Sequence, residues 1–278
     1  MPSMVERIQG VADSLTSTEQ KLVSALLTAP REVAIGTSNE FAARIGVHEA
    51  TTSRLAKKLG FASYAGFRDA LRQEYLRDAA PAERISATLN DARMQGFLPL
   101  LVASEIAALT ALTDHVSDAR ILTAAEALNR DRVFIYGHGN ASALSELMER
   151  RLRRLGIVSN RLDGNRRDLA EQVLTLGPRD ALLLFAFRRQ PPDYAKLMEV
   201  AAAAGAATVV ISGTTGPSLT PRPDILLSAP RAGMPDSFQT LTVPMAICNA
   251  TILALASLRG DTAMAALDRL GELIAKFE

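Results

Sequence analysis

The sequence predicts an all-α domain followed by an α/β domain, the second built on a parallel sheet of about five strands covered by helices on both faces. Three observations lead there. Up to about Tyr75, apolar residues recur at helical spacing, with a capping residue, glycine or proline roughly every 10 to 20 positions. From Arg132 the period changes, and short β-branched or leucine-rich runs alternate with helical stretches. A chain of 278 residues with 48% apolar side chains has enough material for two cored domains.

The N-terminal elements can be justified one by one. In "LTSTEQKLVSALLTAP", Thr16 and Glu19 have the spacing of a capping box, which satisfies free N–H groups at a helix start. Leu22, Val23, Leu26 and Leu27 form one apolar stripe, and Pro30 ends it. "TSNEFAARIG" repeats the device with Thr37 and Glu40, and Gly46 stands where a left-handed residue closes the helix. "VHEATTSRLAKKLGF" then starts another helix, which ends at Gly60. Two short helices joined through a glycine turn predict a helix-turn-helix.

The second of these helices has the groups that DNA recognition needs. His48, Glu49, Thr51, Thr52 and Ser53 are short polar groups suited to phosphates or base edges. Arg54 can take guanine O6 and N7 together, Lys57 and Lys58 can neutralise phosphates, and Leu55 and Leu59 face inward. A basic, solvated surface helix is the competing reading of the same residues.

From 78 to 129 the chain stays helical, rich in alanine and leucine, with Pro81 and Pro99 as breaks. It is expected to link the domains and help pair subunits, and His115 reads as a surface histidine. The 130–278 domain opens with "RVFIYGHGNASALSELMERRLRRLGI", a strand, a glycine turn and an amphipathic helix. "IVSNRL", "DALLLFAF", "ATVVIS" and "DILLSAP" supply further strands. Helices are expected over 166–174 and 194–204, with a short irregular piece after Gly213. Right-handed crossovers place the loops that follow the strands on one edge, where ligands bind.

Two of those loops carry chemistry. "GHGNAS" places backbone N–H groups at a helix N-terminus, a natural anion seat. It is also a partial dinucleotide fingerprint, with Ser142 in place of the third glycine and Asp163 near the acidic position, so that reading stays open. "LLLFAFRRQPPDYAK" runs from a buried strand straight into Arg188, Arg189, Gln190, Pro191 and Pro192. Adjacent guanidinium groups there suit a carboxylate or phosphate.

Composition adds bounds. The net charge of +1 excludes neither nucleic acid nor anionic ligands. Cys248 is the only cysteine, so no internal disulfide can form, and a cytoplasmic location is expected. The N-terminus lacks the apolar run of a signal peptide. Val243 to Leu258 is apolar but interrupted by Pro244, Asn249, Thr251 and Ser257, which reads as a buried helix rather than a membrane span. Three scattered histidines and one cysteine give no metal-ligand spacing, and no cofactor is expected.

Residues 1–77 resemble the DNA-binding domain of the RpiR family of bacterial transcription regulators through "LTSTEQKLVSALLTAPREVA", "FAARIGVHEATTSRLAKKLGF" and "YAGFRDALRQEY". His48 replaces the usual serine cap, while "RLAKKLGF" matches well and points to Arg54 and Lys57 as DNA contacts. The second domain resembles the SIS domain, the sugar-phosphate isomerase fold of those regulators. Gly137 and Gly139 match the family's first loop, but its ligand-binding serine falls on Ala141, with Ser142 next. The second loop usually carries serine-x-serine-glycine-x-threonine; here it reads Ala186-Phe187-Arg188-Arg189-Gln190-Pro191.

The resemblance implies a regulator that binds double-stranded operator DNA as a homodimer or homotetramer. Its SIS-like domain would hold a small anionic metabolite through His138, Gly139, Asn140, Ser142, Arg188, Arg189 and Gln190. Alternatives stay open: a sugar-phosphate isomerase, a regulator whose second domain only assembles subunits, or an interaction module.

Overall fold

The computed structural model describes residues 4–11, 14–28, 33, 36–78, 81–233 and 238–278. The chain divides into two units, Met1–Arg84 and Ile85–Glu278. In the first, the described helices are α1 (Met4–Val11), α2 (Ser17–Thr28), α3 (Ser38–Ile45), α4 (Glu49–Lys58) and α5 (Tyr64–Asp78). Both expected capping boxes form. The Thr16 N–H donates to Glu19 Oε2 (2.8 Å) and the Glu19 N–H to Thr16 Oγ1 (3.3 Å), and Thr37 and Glu40 do the same for α3. Leu22, Val23 and Leu26 are buried with Phe41, Leu55, Leu59 and Phe67 in one core. Leu27, expected on that stripe, lies on the solvent side. Pro30 lies outside the described residues.

Helix α6 (Pro81–Gln95) crosses the division between the units. It is followed by α7 (Phe97–Thr110), α8 (Leu112–His115) and α9 (Asp118–Leu128). The stretch expected to link the domains is therefore helical, and its last helix is part of a core: Ile121, Ala124 and Leu128 pack beneath the sheet.

The sheet holds β1 (Arg132–Gly137), β2 (Val158–Leu162), β3 (Asp180–Ala186), β4 (Ala207–Ser212) and β5 (Ile225–Ser228). All are parallel, in the order β2-β1-β3-β4-β5. Between them lie α10 (Ser142–Arg154), α11 (Arg166–Gln172) and α12 (Tyr194–Ala204), and α13 (Thr242–Arg259) and α14 (Asp261–Phe277) complete the chain. Alternate strand residues serve opposite faces. Ile135, Leu183 and Val209 pack with residues of α9, α10 and α13, whereas Phe134, Leu184 and Val210 pack with residues of α11 and α12. Every residue of β3 is buried, as a central parallel strand requires. At its N-terminal edge Arg132 grips the buried Asp180 with two bonds, 2.9 and 2.7 Å.

Phe97–His115 and Thr242–Arg259 are each long and apolar enough to cross a membrane, by length and composition only. The second lies against the sheet through Val243, Ile247, Cys248, Thr251 and Leu255, the core helix the sequence predicts. Burial there pushes the Cys248 thiol up to about 12, so it holds no reactive thiolate at neutral pH. The first is not anticipated by the sequence reading.

Candidate DNA-binding helix and effector crevice

Two places gather the predicted residues, one in each unit. In the first, α3 ends on Gly46 at φ 70°, a left-handed turn that returns the Val47 N–H to the Ala42 carbonyl (3.0 Å). His48 then caps α4: its Nδ1 accepts the Ala50 N–H at 3.2 Å, which requires the lone pair on that nitrogen. At the other end, Arg7 donates to the Leu59 carbonyl (3.0 Å) and lies over the Phe61 ring. The helix is fixed at both ends.

Leu55 and Leu59 face inward, as expected. Thr52, grouped by the sequence with the polar contact residues, is buried instead. Its hydroxyl donates to the Glu49 carbonyl (2.7 Å) and lies 2.6 Å from Ser38 Oγ, joining α3 to α4. Lys58 pairs with Glu19 Oε2 at 2.9 Å. Burial alone would raise the Glu19 carboxyl, but the bonds from Lys58 and Thr16 outweigh it and hold the carboxyl below its ordinary value. Of the predicted contact residues, His48, Glu49, Arg54 and Lys57 face solvent, with Thr51, Ser53 and Lys58 half-buried beside them. Arg54 lies along its own helix, with Nε 3.3 Å from the Ala50 carbonyl oxygen.

In the second unit, the order β2-β1-β3-β4-β5 reverses between β1 and β3. In open parallel sheets the loops leaving such a pair of strands part and leave a crevice. Gly137 at the end of β1 stands opposite Phe185 of β3, so 138–142 and 187–190 leave the sheet side by side. Gly137 allows a tight turn: a Cβ there would meet the Ala141 carbonyl oxygen at 2.5 Å and Ser145 Oγ at 3.0 Å. Gly139 takes φ 61°. His138, Asn140 and Ser142 are exposed, and neither the Gly139–Ala141 turn nor α10 has a side-chain cap.

Opposite, Arg189 is exposed, while Arg188 and Gln190 are half-buried. This loop is stapled to the one after β4. Thr215 Oγ1 lies 2.9 Å from the carbonyl oxygens of both Phe187 and Arg188. Ser212 donates to the Ala186 carbonyl. Gln190 Oε1 accepts the Thr220 N–H at 2.9 Å, so its carbonyl is engaged within the fold. Arg231, in the loop after β5, stacks over the Phe187 ring at 5.2 Å. Asp193 pairs with Arg166 (3.1 Å) across the loops after β3 and β2. These staples join residues up to 44 positions apart (Phe187 to Arg231), beyond the reach of any local sequence pattern. Asp163 turns to Arg161 (3.2 Å).

Comparison with known proteins identifies both domains. Residues 3–78 match the rpiR-family helix-turn-helix domain, and residues 128–254 match the SIS domain. The chain joins an rpiR-family helix-turn-helix domain to a SIS domain. A crystallised RpiR transcription factor from Sphaerobacter thermophilus (sugar isomerase domain) superposes with a TM-score of 0.57 at 21% identity, covering 64% of this chain and 99% of that one. The Vibrio vulnificus NanR protein, complexed with ManNAc-6P, superposes over 99% of both chains with a TM-score of 0.59 at 13% identity.

Among curated relatives, an HTH-type transcriptional regulator of Haemophilus influenzae is 23% identical over 81% of this chain and 79% of its own. The bifunctional protein glk of Burkholderia orbicola is 24% identical over 77% of this chain. The chain spans about a third of the length of that relative, 33%. At these identities the solved structures establish the fold of this chain.

Proposed function

We propose that this chain is a DNA-binding transcription regulator of the cytoplasm whose SIS domain senses a small anionic metabolite. The carrying observation is the orientation of α4, which keeps Leu55 and Leu59 inside and turns Arg54 and Lys57 outward from a helix capped at both ends. Arg54 would read a base edge and Lys57 a phosphate. Glu49, Thr51 and Ser53 would border the contact, His48 serves it as cap, and Lys58 acts through its pair with Glu19.

The sensor reading is supported by the crevice between β1 and β3. Uncapped N–H groups at the start of α10 face the ligand seat on one side, and Arg188 and Arg189 stand on the other. NanR, of the same fold, is a ManNAc-6P complex, which favours a phosphorylated sugar or a sugar acid. The second loop here offers guanidinium groups in place of hydroxyls, and the hydroxyls of Ser212 and Thr215 are already bonded to the backbone. That same fact favours a second reading, in which the domain assembles subunits without a ligand. Isomerase chemistry would need an acid and a base at the sugar carbons. Near the crevice, Asp193 is paired with Arg166, and His138 is an exposed loop residue.

DNA binding is tested on a fragment selected by the protein from a random-sequence pool. Arg54→Ala should cost about 1–3 kcal/mol and relax one position of the site, and Lys57→Ala should weaken all sequences alike and lower the salt slope by about 1. If neither change moves affinity or salt dependence, α4 is not the recognition helix.

A further inference from the structure

Apart from the crevice, the second unit holds a cavity of about 270 Å³ between α7–α8 and the loop that follows β5. Ser104, Ala107, Ala108, Ala111 and His115 form one wall, and residues 230–233 form the other. The helical residues recur at intervals of three and four, so they share one face. No residue of 138–142 or 187–190 lines this cavity, which makes it a separate place from the crevice. Its space is that of roughly nine water molecules, just below the ~300 Å³ at which pockets for larger ligands begin.

The chemistry of the walls is one-sided. Three alanine methyl groups, Pro230 and the buried Ala232 give an apolar body. The lining side chains able to donate hydrogen bonds are Ser104, His115 and Arg231, and none of the lining residues is acidic. Glu105, next to Ser104 in the chain, instead accepts from the Thr240 hydroxyl. Arg231 is fixed in place: its Nη2 donates to Gln239 Oε1, and its guanidinium lies over the Phe187 ring at 5.2 Å. A guanidinium ordered beforehand loses less entropy when an anion arrives.

We infer that this cavity is a second small-molecule site, for a monocarboxylate with a compact apolar body of about nine non-hydrogen atoms. The carboxylate faces Arg231 and His115, and the body rests on the alanines. A carboxylate matches the planar guanidinium with two bonds. A phosphate monoester would leave oxygens unpaired against the apolar walls, which is costly.

The test is titration of the full chain with benzoate, followed by saturation-transfer NMR. Benzoate should bind with a Kd of about 1 mM or tighter, and benzamide, the same shape without the charge, at least tenfold more weakly. Arg231→Gln should weaken benzoate at least tenfold. Ala107→Leu fills the cavity from an exposed helix position and leaves Arg231 on Phe187. It should abolish binding while keeping the wild-type circular dichroism and melting temperature. Arg188→Ala/Arg189→Ala should leave benzoate affinity unchanged. Absence of binding at about 10 mM benzoate, ten times the expected Kd, would overturn the inference, as would equal binding of benzamide. So would wild-type affinity in either Arg231→Gln or Ala107→Leu. Loss of binding in Arg188→Ala/Arg189→Ala would place the carboxylate in the crevice and overturn it too.

Discussion

Glu19 closes the capping box of α2 and holds Lys58 of α4, so one carboxylate joins the helix start to the proposed recognition helix. Its sign of pH dependence follows from its environment. Because its carboxyl lies below the ordinary value of 4.5 in the folded chain, its contribution is complete above that value and is lost as pH falls through the folded one. Glu19→Gln should therefore cost about 1 kcal/mol at neutral pH and weaken the acid dependence. Hydrogen exchange of residues 16–28 and 49–58 at pH 7 and pH 4 checks both. Equal protection in the two proteins at pH 7 would dismiss the bridge. Thr16, Glu19, Thr37, Glu40 and Gly46 are readable in the sequence because caps are local and their spacing is fixed. Thr52 and Lys58 are not, since their partners Ser38 and Glu19 lie 14 and 39 residues away.

The crevice depends on loops more than on single side chains. Gly137 is the tightest point, and Gly137→Ala places a methyl against the Ala141 carbonyl and Ser145. The loop must shift to relieve that contact, at a cost of about 1–3 kcal/mol, and any ligand held by residues 138–142 should bind at least tenfold more weakly. Calorimetric titration of a ligand found for the wild type measures the second effect; unchanged affinity would place the ligand elsewhere. The strands that make this crevice are plain in the sequence, since leucine and β-branched runs between helical stretches admit few arrangements. Their order is not, because β1 joins β2 and β3 through contacts that no local pattern encodes. The stapling of 187–190 by Thr215 and Arg231 is hidden for the same reason.

Across the whole chain, the two-domain order is evident from the change of period at Arg132, and the domain matches agree with it. The cavity between α7 and the loop after β5 is not, because its two walls, around Ala107 and Arg231, lie far apart in the chain and no local pattern brings them together. Coupling between the domains requires a ligand that binds two assembly states with different affinity. The measurement that bears most directly on this account is a thermal-shift screen of sugar phosphates, sugar acids and other carboxylates, run on wild type and on Arg188→Ala/Arg189→Ala. A ligand at 100 times its Kd should add roughly 2.7 kcal/mol to the folded state of the wild type. At least one such anion should stabilise the wild type, with its shift abolished in the double variant. A shift that survives in the variant, or a panel in which no anion stabilises the wild type, would contradict it.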